Sequence, residues 1–222
     1  MEALAQKAGY KTEIQALVFS VSDFQIWVGE RKRVGKKSDF TIFSMSSHGT
    51  QWSSDAPGEG GYEEGLCFWN GQDIEVLPDV DFIRLLHQIP GSVFVVLDSC
   101  FSGGMSRARK VAESEGAWKS RFISFNPSFQ VFRPFKGRAV HQRAQVPENK
   151  LYFIAASSED EVSWSTGTGG LFTKSFTGAY ERYATKSMRT IKRLMAIACE
   201  ECSPEQTPVF KGYGGTQLKT IF

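Results

Sequence analysis

The sequence predicts an α/β domain built on a mostly parallel sheet with helices on both of its faces. Three observations carry that expectation. Apolar segments of strand type, "DFTIFSMS", "SVFVVLD" and "LYFIAAS", alternate with helical patterns along the 222 residues. Two of these segments, "SVFVVLD" and "LYFIAAS", are continuous in apolar character rather than alternating, as strands covered on both faces are. A composition 41% apolar and 23% charged also fits a globular chain able to bury a sizeable core.

Taken in order, residues 1–8 read as the end of a helix closed by Gly9, and "KTEIQALVF" alternates as a strand does. Ser22 or Asp23 is positioned to cap a helix carrying Phe24, Ile26, Trp27 and Val28. "DFTIFSMS" follows as a strand that ends at "SHGTQ", before a loop rich in Gly, Ser and Asp. "GLCFW" and "DIEVL" flank Asn70-Gly71, a strong hairpin signal. Pro78 opens a helix over "DVDFIRLLHQI", which Pro90-Gly91 stops. After "SVFVVLD" comes a basic stretch of weak periodicity, residues 101–150, then "LYFIAAS" and two helical patterns, "GLFTKSFTGAYERYA" and "SMRTIKRLMAIACEEC". The division is therefore 1–100, a linker at 101–150, and 151–222, within one domain spanning 1–222.

Composition removes several function classes. No apolar run approaches the roughly 20 residues of a membrane-spanning helix. The opening "MEALAQKAGYK" carries an acid at position 2 and no apolar core, so it does not read as a secretory signal and a cytoplasmic location is expected. Four cysteines, Cys67, Cys100, Cys199 and Cys202, are too few for a disulfide framework. The net charge of +2 gives no field of the size nucleic acids select. That charge is unevenly spread, because residues 101–150 hold ten Lys or Arg against three acids.

Parallel strands place their carboxyl ends on one edge, where ligands of open α/β sheets bind. Three of the strands end in polar clusters: Ser46-Ser47-His48-Gly49, Asp98-Ser99-Cys100 and Ser157-Ser158-Glu159-Asp160. A cysteine and a histidine meeting there suffice for nucleophilic catalysis, since the imidazole favours the thiolate and protonates the leaving amine. Glycines beside both, Gly49 and Gly103-Gly104, would let backbone N–H groups face an oxyanion. The competing reading of Cys100 as a small core residue at a strand end is weakened by His48, which lies 52 positions earlier at an equivalent strand end. Caspases place their histidine about 50 residues upstream of the cysteine.

"SSHGTQ", "GYEEGLCFWNGQDIEVLPD", "VVLDSCFSGG", "FIAASSEDEVSW", "GGLFTKSF" and "QTPVFKG" stand in the order and spacing of metacaspase-like, caspase-fold cysteine peptidases, and the chain resembles that family over most of its length. The resemblance implies His48 as general base and acid, Cys100 as nucleophile, and the N–H groups of Gly49 and Cys100 as the oxyanion hole. It implies that Asp98, two positions before Cys100 and so on the same side of a strand, lines a pocket for Arg or Lys before the cut bond. Ser157, Ser158 and Asp160 match the family's pocket loop less firmly. With that specificity the basic linker offers self-cleavage sites, with Arg107, Arg109, Lys110, Lys119 and Arg121 as candidates. Cell death and other regulated proteolysis are implied by resemblance alone.

The sequence departs from the family in places. Ser47 stands where Gly is usual, Phe101 follows Cys100 where His is usual, and the family's first strand is not found, so a fragment truncated at its N-terminus, a misassigned start, or a half completed by a partner are the expectations. Many relatives use Ca2+ as an activator; Asp79 and Asp81 fall near two of its acids, but Arg107 stands near another, so no metal ligand set is assigned. The rival reading is an inactive caspase-like scaffold whose basic stretch binds an acidic partner. Cys199 and Cys202 read as the end of an amphipathic helix rather than a zinc or redox pair, lacking a second pair or a nearby His.

Overall fold

A computed structural model describes residues 6, 9, 11–12, 18–53, 62–99, 119–121, 123–134, 150–157, 163–166, 169–183, 191–202 and 206–213. Of the expected first helix, Gln6 is described and helical, and the Gly9 N–H donates to its carbonyl at 3.0 Å. Residues 13–17 of the strand expected next lie outside the described residues, and Phe19 makes an antiparallel bridge to Trp69.

Helix α1, Val21–Val34, is capped by Ser20 rather than by Ser22 or Asp23. The Ser20 hydroxyl accepts from the Asp23 N–H at 3.0 Å while the Asp23 carboxylate accepts from the Ser20 N–H at 2.9 Å. That reciprocal pair satisfies two N–H groups, so the box places the helix start two or three residues earlier than the sequence pattern indicates. Strand β1, Phe40–Ser46, follows as expected. "SHGTQ" is a second correction, since Gly49–Ser53 form strand β2 rather than a terminating loop. Strands β3, Tyr62–Trp69, and β4, Ile74–Pro78, form the expected antiparallel hairpin. The side chain of Asn70 stabilises its turn by accepting from the N–H groups of Gln72 and Asp73. Helix α2, Asp79–Leu86, begins directly after Pro78.

Strand β5, Ser92–Asp98, is the centre of the molecule. It pairs in parallel with β1 on one side and with β8, Lys150–Ala155, on the other, and β11, Val209–Tyr213, adds an antiparallel strand beyond β8. The continuous apolar run follows from two covered faces. Val93, Val95 and Leu97 pack with α1, α2 and the hairpin, in a core where Phe24 stacks on Phe82 at 5.1 Å and meets Phe43 at 5.3 Å. Phe94 and Val96 point the other way, onto α3, Leu171–Tyr183, and α4, Ile191–Cys202. Asp98, by the same alternation, falls on the α3 side.

Within the basic linker, two short strands are described: β6, Lys119–Ser120, and β7, Gln130–Val131. β7 extends the β2-β3-β4 sheet, and β6 joins β9, Trp164–Thr166, and β10, Gly169–Gly170, in a three-stranded sheet. The weakly periodic linker therefore contributes ordered backbone to two sheets. No described helix is long and apolar enough to cross a membrane.

Candidate active site

The parallel register of β1, β5 and β8 brings their polar ends to one edge, with Ser46 opposite Asp98 and Leu97 opposite Ala155. His48 lies between β1 and β2, and its turn is tied to β3. The Cys67 N–H donates to the His48 carbonyl at 2.9 Å, and the Ser47 hydroxyl donates to the Cys67 carbonyl. Ser47 thus supplies a side-chain anchor from the histidine turn to β3.

Asp98 is 1% exposed, so its carboxylate depends on protein donors in place of water. The Ser163 hydroxyl donates to it at 3.0 Å, the Thr173 N–H at 3.2 Å and the Thr173 hydroxyl at 2.5 Å. Thr173 is in the first turn of α3, where unpaired N–H groups and the helix dipole favour a negative charge. Gly170 makes the approach feasible. A Cβ at that position would stand 1.8 Å from an Asp98 carboxylate oxygen.

Arg121 of the linker occupies the space beside this carboxylate and is itself only 9% exposed. Its Nε lies 3.5 Å from Asp98 Oδ1, an ion-pair distance without hydrogen-bond geometry, and its Nη1 donates to the Asp98 carbonyl at 3.1 Å and to the Ser46 hydroxyl. The backbone is held as firmly. The Arg121 N–H donates to the Ser163 carbonyl at 2.9 Å, the Arg121 carbonyl accepts from the Gly49 N–H at 3.0 Å, and the Ile123 N–H donates to the Gly49 carbonyl at 3.0 Å. Lys119 and Ser120 just before it pair antiparallel with Ser165 and Trp164. A buried carboxylate thus offsets the cost of burying the guanidinium of Arg121.

The His48 pKa is held below its ordinary 6.5, chiefly because protein displaces water from around the charged ring, even though part of the side chain stays open to solvent. A hydrogen bond from the ring to the Arg121 backbone opposes that shift, and the Arg121 charge reinforces it. The net effect favours a neutral imidazole near pH 7.

The chain matches the caspase-domain model of peptidase family C14 over residues 1–218. It belongs to the caspase-domain family. Membership makes it a relative of cysteine peptidases whose substrates are proteins. Its fold is also that of the crystal structure of protein GSU0716 from Geobacter sulfurreducens, with a TM-score of 0.75 at 20% identity over 97% of this chain and 82% of that one. No curated protein matches the chain.

In this caspase domain the structure brings together His48, Gly49 and Asp98 from the residues singled out in the sequence. Cys100, Ser158 and Asp160 lie outside the described residues, as do Arg107, Arg109 and Lys110. Ser157 sits just past β8, 2% exposed, with a hydroxyl that has no hydrogen-bond partner among the described residues. Sequence reasoning missed Ser163, Gly170 and Thr173 as the surround of Asp98, although "GGLFTKSF" contains two of them. It also missed Gln206, which accepts from the Trp164 N–H at 2.9 Å and donates to the Ala156 carbonyl at 2.9 Å, binding β9 to the end of β8.

The other thiols are poorly suited to reaction. Burial pushes Cys67 up to about 12 and Cys202 up to about 11, and burial with the nearby Glu200 raises Cys199. Asp79 accepts from the Val80 N–H and Asp81 pairs with Arg84 at 3.6 Å. Among the described residues no three acids, histidines or cysteines cluster to hold a metal.

Proposed function

We propose that this caspase domain is a cysteine endopeptidase that cuts after Arg or Lys using His48 and Cys100, and that it cuts its own chain after Arg121. One observation supports the reading above the others: Arg121 lies as a substrate residue would, its side chain on Asp98 and its carbonyl on the Gly49 N–H at 3.0 Å.

In this reading His48 takes the proton of the Cys100 thiol, and the thiolate adds to the Arg121 carbonyl carbon. The oxygen gathers negative charge facing the Gly49 N–H and, by family resemblance, that of Cys100. The bond from Arg121 carbon to Phe122 nitrogen then breaks as His48 returns its proton to the leaving amine. Water, giving its proton to His48, adds to the thioester and releases Cys100 with a carboxylate on Arg121. The lowered pKa of His48 keeps the ring able to accept that first proton. Asp98 supplies the basic specificity, as a carboxylate whose hydrogen bonds from Ser163 and Thr173 orient it without cancelling its charge.

The test is incubation of the purified chain followed by intact mass measurement. A fragment beginning at Phe122 forms in wild type and not in Cys100→Ala, and short fluorogenic peptides ending in Arg are cut while those ending in Asp are not, with calcium and without. A wild type that stays whole and cuts neither peptide leaves the inactive scaffold as the correct reading.

A further inference from the structure

Beyond Arg121 the chain continues across β2 in a manner the peptidase reading does not require. The Ile123 N–H bonds the carbonyl of Gly49, the residue whose own N–H bonds Arg121, so backbone pairing sets the register on both sides of the 121–122 peptide. Exposure then alternates: Ile123 and Phe125 are half-buried while Ser124 and Asn126 are exposed. That is the pattern of an extended strand with its odd-numbered residues toward the protein. The Phe125 ring lies over Trp52 of β2, centroids 5.3 Å apart and planes 32° apart. A turn at Asn126 ends the extended run, and Phe129 folds back edge-on to Phe125 at 5.8 Å.

The seat of Phe125 is part of the sheet rather than an accident of the linker. On β2, Trp52 is paired with Glu63, and its ring reaches diagonally over Gly65 of β3. A Cβ on Gly65 would come within 3.2 Å of that ring and 2.7 Å of Val76. With glycine there, the indole spreads against the strand and presents a face to the segment above.

The geometry points to Trp52 as a specificity-determining residue on the leaving-group side: it takes an aromatic side chain four positions after the cut bond, with Gly49 fixing the register. The chain's own Phe125 is the first occupant, and protein substrates that carry Arg followed four residues later by Phe, Tyr or Trp are the class selected. This rests on the reading of the site as a peptidase cutting after Arg. An aromatic pair adds enough beyond plain area burial to change a rate severalfold.

The experiment uses the full chain and two internally quenched peptides, one carrying residues 119–129 and one with alanine in place of Phe125. Wild type is expected to cut the first with a kcat/KM about three to ten times higher, both after the arginine. Trp52→Ala brings that ratio close to one, and Trp52→Phe retains most of it. In the chain itself, Phe125→Ala slows self-cleavage after Arg121 by a similar factor and Phe125→Tyr does not, which tests the contact without altering β2. Equal cutting of both peptides by wild type overturns the aromatic subsite and leaves the peptidase reading standing. Failure to cut either peptide, or any Arg peptide, overturns both.

Discussion

The Ser163 hydroxyl donates to the Asp98 carboxylate at 3.0 Å, between a serine with no exposure and an aspartate 1% exposed. The same serine's carbonyl accepts from the Arg121 N–H at 2.9 Å. One residue thus orients the Asp98 carboxylate and aligns the Arg121 backbone beside it, so the distance between the two is set by a single unit. Ser163→Ala removes the first function and keeps the second. It is expected to lower kcat/KM on Arg peptides about tenfold and to cost about 1.5–3 kcal/mol of stability, the usual worth of a hydrogen bond to a charged group. Steady-state kinetics with thermal melts check both.

Asp98→Asn keeps the shape of the carboxylate and removes its charge. Cleavage after Arg should fall a hundredfold or more, close to 3 kcal/mol, because a buried charge pair loses one partner. Alkylation of Cys100 by a small neutral reagent should remain near wild type. Retained cleavage after Arg would reduce Asp98 to a cap on the first turn of α3.

Gly170→Ala tests the close approach of β10 to Asp98. The added Cβ falls 1.8 Å from the carboxylate, so strand or acid must move. Overpacking of this kind costs about 1–3 kcal/mol, and the loss of Arg cleavage should approach that of Asp98→Asn. Normal kinetics in a stably folded Gly170→Ala would show that the strand yields and the acid does not.

Thiol labelling near pH 7 should modify Cys100 first. Cys67 and Cys202, held up to about 12 and about 11, carry almost no thiolate there, and Cys199 is shifted in the same direction. Peptide mapping after brief alkylation checks the order, and Cys100→Ala should remove the fast phase.

The lowered pKa of His48 has two consequences for pH. Activity that needs the neutral ring should persist below pH 6.5 and decline only as pH falls through the depressed value. For stability, the unfolded chain binds a proton at His48 near 6.5 while the folded one resists it, so His48 contributes less as pH drops below that point. Pairing pH-rate profiles with melts of wild type and His48→Gln checks both, the variant losing the pH-dependent increment in stability.

Much of this architecture was legible in local pattern. Continuous apolar runs marked β5 and β8 because such runs form only where both faces are covered, and the Asn-Gly pair marked the β3-β4 hairpin through the backbone conformation it favours. The start of α1 was misplaced because serine at 20 and serine at 22 are equivalent by composition, and only the reciprocal bonds of Ser20 with Asp23 separate them. β2 was read as loop because Gly49 and Ser53 disfavour strands on their own, while pairing with β3 decides otherwise.

The sequence by itself indicated that His48 and Asp98 stand on one edge of a parallel sheet, since strands alternating with helices imply parallel crossovers and the shared edge follows from them. Tertiary structure alone decided what surrounds Asp98. Its donors are 65 and 75 positions away, Arg121 is 23 away, and each is a common residue type with no local signature. A basic linker also reads as solvated from composition, because burying a guanidinium is unfavourable until a buried carboxylate is there to meet it. Only the fold supplies that carboxylate at the place where Arg121 arrives.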